Sequence, residues 1–164
     1  MHLDKIDKKD FQKTNRISRK YNMQWKKYAG RSSIGDCSNL FQRLRPTDYY
    51  DFYLKYTKDG EETVHNREVF KHCGRTEEEI EEVARKYMAE CGNTSFTFED
   101  FVKNVYMHTI IETYDGQTKE QDVNQILANL GYTYEKPEKS EDSRFGIDFK
   151  VYKDGKLVFV LQIK

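Results

Sequence analysis

Apolar positions recur at helical spacing through most of the chain and alternate only near its C-terminal end. Tyr49, Phe52, Tyr53 and Tyr56 fall at i, i+3, i+4 and i+7 after Pro46-Thr47. That spacing predicts a helix whose aromatic stripe is core rather than a stacking surface, with Asp59-Gly60 as its expected stop. Ile80, Val83, Ala84, Tyr87 and Cys91 trace one face of a second helix, opened by Thr76 with Glu79 three residues on and closed at Gly92. In such a capping box the two side chains satisfy free amides of the first turn. A third helix starts near Thr97, with Asp100 three residues on and Phe98, Phe101, Val102 and Val105 as its stripe. Asp115-Gly116 is expected to break or bend it. A fourth helix follows Thr118, with Gln121 completing another such box, buries Val123, Ile126, Leu127 and Leu130, and ends at Gly131. Residues 1–30 read as irregular or helical, and residues 30–39 as a loop. Residues 61–75 are ambiguous, and 135–144 form a polar loop.

After that loop the period changes to two. Gly146-Ile-Asp-Phe-Lys-Val-Tyr152 and Lys156-Leu-Val-Phe-Val-Leu-Gln-Ile-Lys164 flank Lys153-Asp154-Gly155, the pattern of a β-hairpin. A two-residue turn would pair Lys153 with Lys156 and set Asp148 among Leu157, Phe159, Leu161 and Ile163. A three-residue turn, with Gly155 left-handed in a bulge, opposes Tyr152 to Lys156 and collects Ile147, Phe149, Val151, Leu157, Phe159, Leu161 and Ile163 on one apolar face. A one-residue slip moves every side chain to the other face, so the apolar set favours the three-residue turn. Asp148, Gln162 and Lys164 then share the polar face.

Composition bounds what such a hairpin can belong to. The chain has 164 residues, 37% hydrophobic and 34% charged, with mean hydropathy −0.95. This suits one domain, or a core with an appendage, and contains no run long enough to span a membrane. The N-terminus lacks an apolar stretch of the secretory kind. Cys37, Cys73 and Cys91 are odd in number and widely spaced, which suggests reduced thiols and a cytoplasmic location. Net charge is zero but uneven: residues 1–45 hold twelve Lys/Arg against four Asp, a net +8, and the remainder is −8. Arg16, Arg19, Lys20, Lys26, Lys27 and Arg31 lie among Tyr21, Trp25 and Tyr28. That mixture suits nucleic-acid backbone contact with base stacking, and also an ordinary solvated basic arm.

The polar face of the hairpin carries the candidate chemistry. Asp148 and the Gln162 amide oxygen are hard donors of the kind Mg²⁺ takes, together with waters and a phosphate oxygen. Lys164 is placed to hold a water or to stabilise charge developing at phosphorus. Gln162 is neutral, so a second carboxylate as a third ligand would strengthen the site. Glu120, on the edge of the fourth helix's buried stripe, is the candidate and Glu112 the fallback. An acid in a first helical turn is also explained by the helix dipole alone, and Lys at an edge strand by solvation.

The order of these parts is more specific than any one of them: helix acid, Gly131-Tyr132, polar loop, Gly146-Ile147-Asp148, hairpin and Gln162-Ile163-Lys164. It resembles the PD-(D/E)XK nuclease superfamily over residues 115–164. The stretch Ile111-Glu-Thr-Tyr-Asp-Gly-Gln-Thr-Lys-Glu120 and the Gly-Ile-Asp-Phe strand also look like the MjaI-type restriction endonucleases. The resemblance implies an α+β fold: a basic, mainly helical region at 1–95 for DNA contact or dimerisation, then a restriction-endonuclease-like helix and hairpin core at 96–164. It implies Mg²⁺ held by Glu120, Asp148, Gln162 and the Ile163 carbonyl, with Lys164 catalytic. It further implies cleavage of double-stranded DNA at a specific site by a homodimer. Two features depart from the superfamily pattern. Gln stands where an acid is usual, and superfamily cores continue with a further helix and strand. A core ending at Lys164 is thus expected to be truncated or completed by a partner.

Competing readings are weaker or less specific. Cys37, His72, Cys73 and Cys91 have no zinc-ligand spacing. His108 falls near an apolar helix face and is expected to be packed. The alternative of another class is a non-catalytic DNA-binding or interaction domain that keeps the nuclease-like hairpin.

Overall fold

The computed structural model describes residues 1–21, 37–66, 73–138 and 145–163. The fold is mixed α+β and mostly helical. Seven α-helices among the described residues are α1 Lys8–Lys13, α2 Asn15–Tyr21, α3 Cys37–Leu44, α4 Tyr49–Thr63, α5 Glu77–Cys91, α6 Phe98–Tyr106 and α7 Glu112–Asn129. A π-helical turn, Met107–Ile111, joins α6 to α7. One antiparallel sheet has the order β1-β2-β3, from strands Thr133–Glu135, Phe149–Lys153 and Lys156–Leu161. The chain divides into two compact units, 1–115 and 116–164.

The aromatic stripe of α4 is core: Phe52, Tyr53 and Tyr56 are fully buried. Ile80, Ala84 and Tyr87 of α5 join them, as do Phe101, Val102, Val105 and Tyr106 of α6. Tyr87 meets Phe101 edge-on at 5.1 Å and Tyr53 meets Tyr106 at 5.3 Å, the aromatic geometry that adds to simple area burial. Two of the three expected capping boxes form, Thr76 with Glu79 and Thr97 with Asp100; the one expected of Thr118 with Gln121 does not, because Thr118 lies inside a helix that starts at Glu112.

Two expected helix stops are absent. Helix α4 runs through Asp59-Gly60 to Thr63. A Cβ at Gly60 would lie 2.3 Å from the Arg75 carbonyl carbon, and one at Gly74 only 1.8 Å from the Tyr56 carbonyl oxygen. The glycine pair therefore lets the chain before α5 cross directly over α4, and this contact outweighs the weak helix propensity of glycine. Asp59 reinforces it, accepting from Gly74 N–H at 2.7 Å and from the Arg43 guanidinium at 2.7 Å. Helix α7 likewise continues through Asp115-Gly116, and Asp115 is held by Lys8 at 2.6 Å and the Tyr49 hydroxyl at 2.5 Å. Helix α6 packs on α5 within the first unit.

In the second unit α7 lays Leu127 on Phe149 and Val151, flanked by Val123, Tyr132, Leu161 and Ile163. Ile126 and Leu130, expected on this face, are 57% and 62% exposed. The short sheet covers only the stripe centred on Leu127. The helix closes as anticipated at Gly131, whose N–H donates to the Ala128 carbonyl while Tyr132 N–H reaches back to Leu127. These two bonds and the Tyr132–Leu127 packing form a Schellman cap. Strand β1 was not foreseen. Thr133-Tyr134-Glu135 continues directly from the cap and pairs with Tyr152, Val151 and Lys150.

The hairpin corrects the expected turn yet keeps the expected faces. Lys153 pairs with Lys156, so the turn has two residues, with Asp154 at φ 51° and Gly155 at φ 75°. Both positive angles define a type I′ turn, whose twist matches the strands. Tyr152 opposes Leu157, but Val151 opposes Phe159, so Val158 is an extra residue in β3. This bulge shifts the register by one. Beyond it Phe149 opposes Leu161 and Lys150 opposes Val160. Leu157 leaves the apolar face and is 55% exposed.

Candidate functional site

Asp148 immediately precedes β2 and Gln162 immediately follows β3, so the register that opposes Phe149 to Leu161 brings the two side by side. Asp148 is also bonded to the residues that flank Gln162. Asp148 N–H donates to the Leu161 carbonyl at 2.8 Å. Ile163 N–H donates to Asp148 Oδ2 at 2.5 Å. Asp148 thus binds the backbone on both sides of Gln162. The Ile163 bond uses one carboxylate oxygen and leaves the second for another partner.

The Gln162 side chain is placed by Gly146. Gly146 has φ +61°, and a Cβ there would lie 2.5 Å from Gln162 Nε2 and 3.5 Å from Cδ. The amide nitrogen therefore packs against the bare α-carbon, and the carbonyl oxygen lies on the far side of the group. Gly146 was visible in the sequence only as part of the Gly-Ile-Asp run, and its role requires the hairpin register.

The other predicted residues are distributed differently. Glu120 is partly buried and forms an ion pair with Lys136 at 2.8 Å. The Lys136 ammonium also sits 5.2 Å from the centre of the Phe149 ring. Phe149 belongs to the apolar face, whereas Asp148 and Gln162 belong to the polar one, so Glu120 makes no direct bond to either. Lys136 carries no motif signal, and only the cation–π contact and the ion pair mark it. Glu112, the fallback acid, is held by His108 Nδ1 at 2.9 Å. Ile163 is present through its N–H bond to Asp148. Lys164 lies outside the described residues.

The donor set suits a hard cation. Asp148 and Gln162 offer two oxygens, and Mg²⁺ characteristically takes few protein ligands and keeps its waters. Among the described residues there is no cluster of three or more His, Cys, Asp or Glu that could hold a metal ion. Recruiting Glu120 as a third donor requires it to exchange Lys136 for the metal.

In the first unit, Arg16, Arg19 and Lys20 are exposed on α2, and the Lys20 ammonium lies 5.2 Å from the centre of the Tyr21 ring. Lys26, Lys27 and Arg31 lie outside the described residues, as do Trp25, Tyr28 and His72. His108 is packed: Nε2 meets Ser18 Oγ at 3.0 Å while Nδ1 meets Glu112. Ser18 Oγ also donates to Asn104 Oδ1 at 3.2 Å, and Asn104 is held by the Thr14 carbonyl. These bonds pin α2, and with it the basic residues, to α6 and the turn that follows. Cys37 and Cys73 are buried, and Cys73 Sγ accepts from the Arg75 guanidinium at 3.3 Å. Among the described residues no helix is long and apolar enough to cross a membrane. No protein-family model matches the chain, and no curated protein or solved structure matches it either.

Proposed function

We propose that this chain is a Mg²⁺-dependent endonuclease of the PD-(D/E)XK type that hydrolyses DNA phosphodiester bonds. Within that class we propose a type II restriction endonuclease cutting double-stranded DNA at a specific site as a homodimer. The observation that carries the proposal is the placing of Asp148 beside Gln162 at the open end of the β2–β3 hairpin, where Asp148 bonds the backbone of Leu161 and Ile163. Further support comes from the order of elements: an acid-bearing helix, a leading strand, Asp148 just before β2 and Gln162 just after β3.

Asp148, Gln162 and the Ile163 carbonyl would hold the Mg²⁺, while Glu120 stays with Lys136 on the side of Phe149. Bound there, the ion supplies Lewis-acid stabilisation of the phosphoryl oxygens and a more acidic water. Asp148 keeps its position through the Ile163 N–H, so its free oxygen stays directed without reorganisation. In this scheme Lys164 orients the water. Its oxygen forms the new bond to phosphorus as the ester P–O bond breaks, and the leaving oxygen takes a proton. The exposed Arg16, Arg19 and Lys20 contact DNA phosphates.

Supercoiled plasmid with Mg²⁺ tests this. The wild-type chain nicks or linearises it, and Asp148→Ala, Gln162→Ala and Lys164→Ala abolish cleavage while gel-shift binding persists. The alternative, a non-catalytic DNA-binding domain, draws on one observation, the neutralisation of Glu120 by Lys136. DNA binding without cleavage in either Mg²⁺ or Mn²⁺ would decide for it.

A further inference from the structure

Gln162 is the weakest member of the proposed ligand set, because an amide oxygen carries no formal charge. Its contribution therefore depends on orientation. A rotated amide would present Nε2, a donor with no lone pair for a cation. Two features of the fold set where the amide stands. The backbone on either side of Gln162 is fixed by Asp148, through the Leu161 carbonyl and the Ile163 N–H. The amide itself is fixed by Gly146, whose missing side chain is the space that Nε2 fills.

We infer that Gly146 is a positioning residue that sets the Gln162 amide for a divalent cation. The inference rests on the nuclease reading of the hairpin. The positive φ of Gly146 does not by itself demand glycine, since Asn also adopts that region. The space does. Carbon and nitrogen atoms in good contact sit about 3.5 Å apart, so any side chain here drives the amide away from its observed place. Asp148 is untouched by such a change, because its bonds run to the backbone of β3.

The test measures Mn²⁺ affinity directly, by calorimetry or by electron paramagnetic resonance of free Mn²⁺, on the full chain without DNA. Gly146→Ala weakens Mn²⁺ binding by about 10-fold or more, the usual cost of losing a group that orients a metal ligand. In a Gln162→Ala background the same glycine substitution changes affinity no further, because the amide it positions is gone. Melting temperature falls in both backgrounds, because alanine at positive φ is strained wherever it is placed. Gly146→Asn tolerates the backbone angle and still fills the space, so it weakens Mn²⁺ binding even if Gly146→Ala folds poorly. Wild-type affinity in both glycine variants, or an equal loss with and without Gln162, overturns the inference alone. Unchanged Mn²⁺ affinity in Asp148→Ala, or no binding by the wild type, overturns the metal reading beneath it as well.

Discussion

Gly74 and Gly116 show how far the effect of one residue depends on what stands beside it. A Cβ at Gly74 would overlap the Tyr56 carbonyl, whereas one at Gly116 meets nothing within 4 Å. Gly74→Ala therefore forces apart two backbone segments of the helical core, a form of overpacking that costs about 1–3 kcal/mol or more. Gly116→Ala sits inside α7 and replaces the weaker helix former, so it should stabilise by about 1 kcal/mol. Thermal melts of the two variants should move in opposite directions, and a shared direction would contradict the placement of either glycine. In the sequence Gly116 looks like a helix break, yet α7 runs through it. Gly74 lies in the connection before α5, and there the deciding variable is the distance to a second chain segment.

At the scale of the element, the hairpin depends on parity. The type I′ turn alone would place Asp148 with the apolar residues, and the bulge at Val158 restores the alternation. Deleting Val158 removes the extra residue and leaves Phe159 opposite Val151 and Leu161 opposite Phe149, so the melting temperature and Mn²⁺ binding should both be kept. Loss of Mn²⁺ binding in the deletion variant would mean that the register is not set this way. The facing of Asp148 and Gln162 was legible in the sequence because the apolar residues on both strands demand it. The means was not legible, since a longer turn and a bulge have the same effect on alternation. Helix α5 is simpler. Its capping box was readable from Thr76 and Glu79, and Thr76→Ala should cost about 1 kcal/mol by equilibrium unfolding.

Across the whole molecule, charge decides the response to pH and salt. The Lys103 ammonium bonds Asp10 and holds its carboxyl below the ordinary carboxylate range, and Lys55 does the same for Asp51. With a depressed folded-state value, the unfolded chain binds more protons in acid. The stabilisation is thus present above about pH 4, the unfolded carboxylate value, and fades as pH falls through the folded one. Lys103→Met should lower stability to urea at pH 7 and leave it unchanged at pH 2. Added salt should shrink the difference at pH 7, because Asp10 is partly exposed. An equal loss at both pH values would point to packing of the lysine stem instead. The basic N-terminal third acts at the same scale on the proposed DNA binding. Removing Arg16, Arg19 or Lys20 should each weaken binding evenly across sequences and reduce the salt slope by about one.

Taken by itself, the sequence determined the features that depend on neighbours in the chain. These are the capping boxes of α5 and α6, the buried aromatic stripe of α4, the stop at Gly131, and the common face of Asp148 and Gln162. Each follows from periodicity or from side chains bonding their own backbone, both local effects. Tertiary structure decided the rest. It carried α4 and α7 through their glycines, left Ile126 and Leu130 exposed, paired β1 with β2, engaged Glu120 with Lys136 and seated Gln162 on Gly146. Those outcomes turn on distances between segments far apart in the chain, which no local pattern of residues specifies.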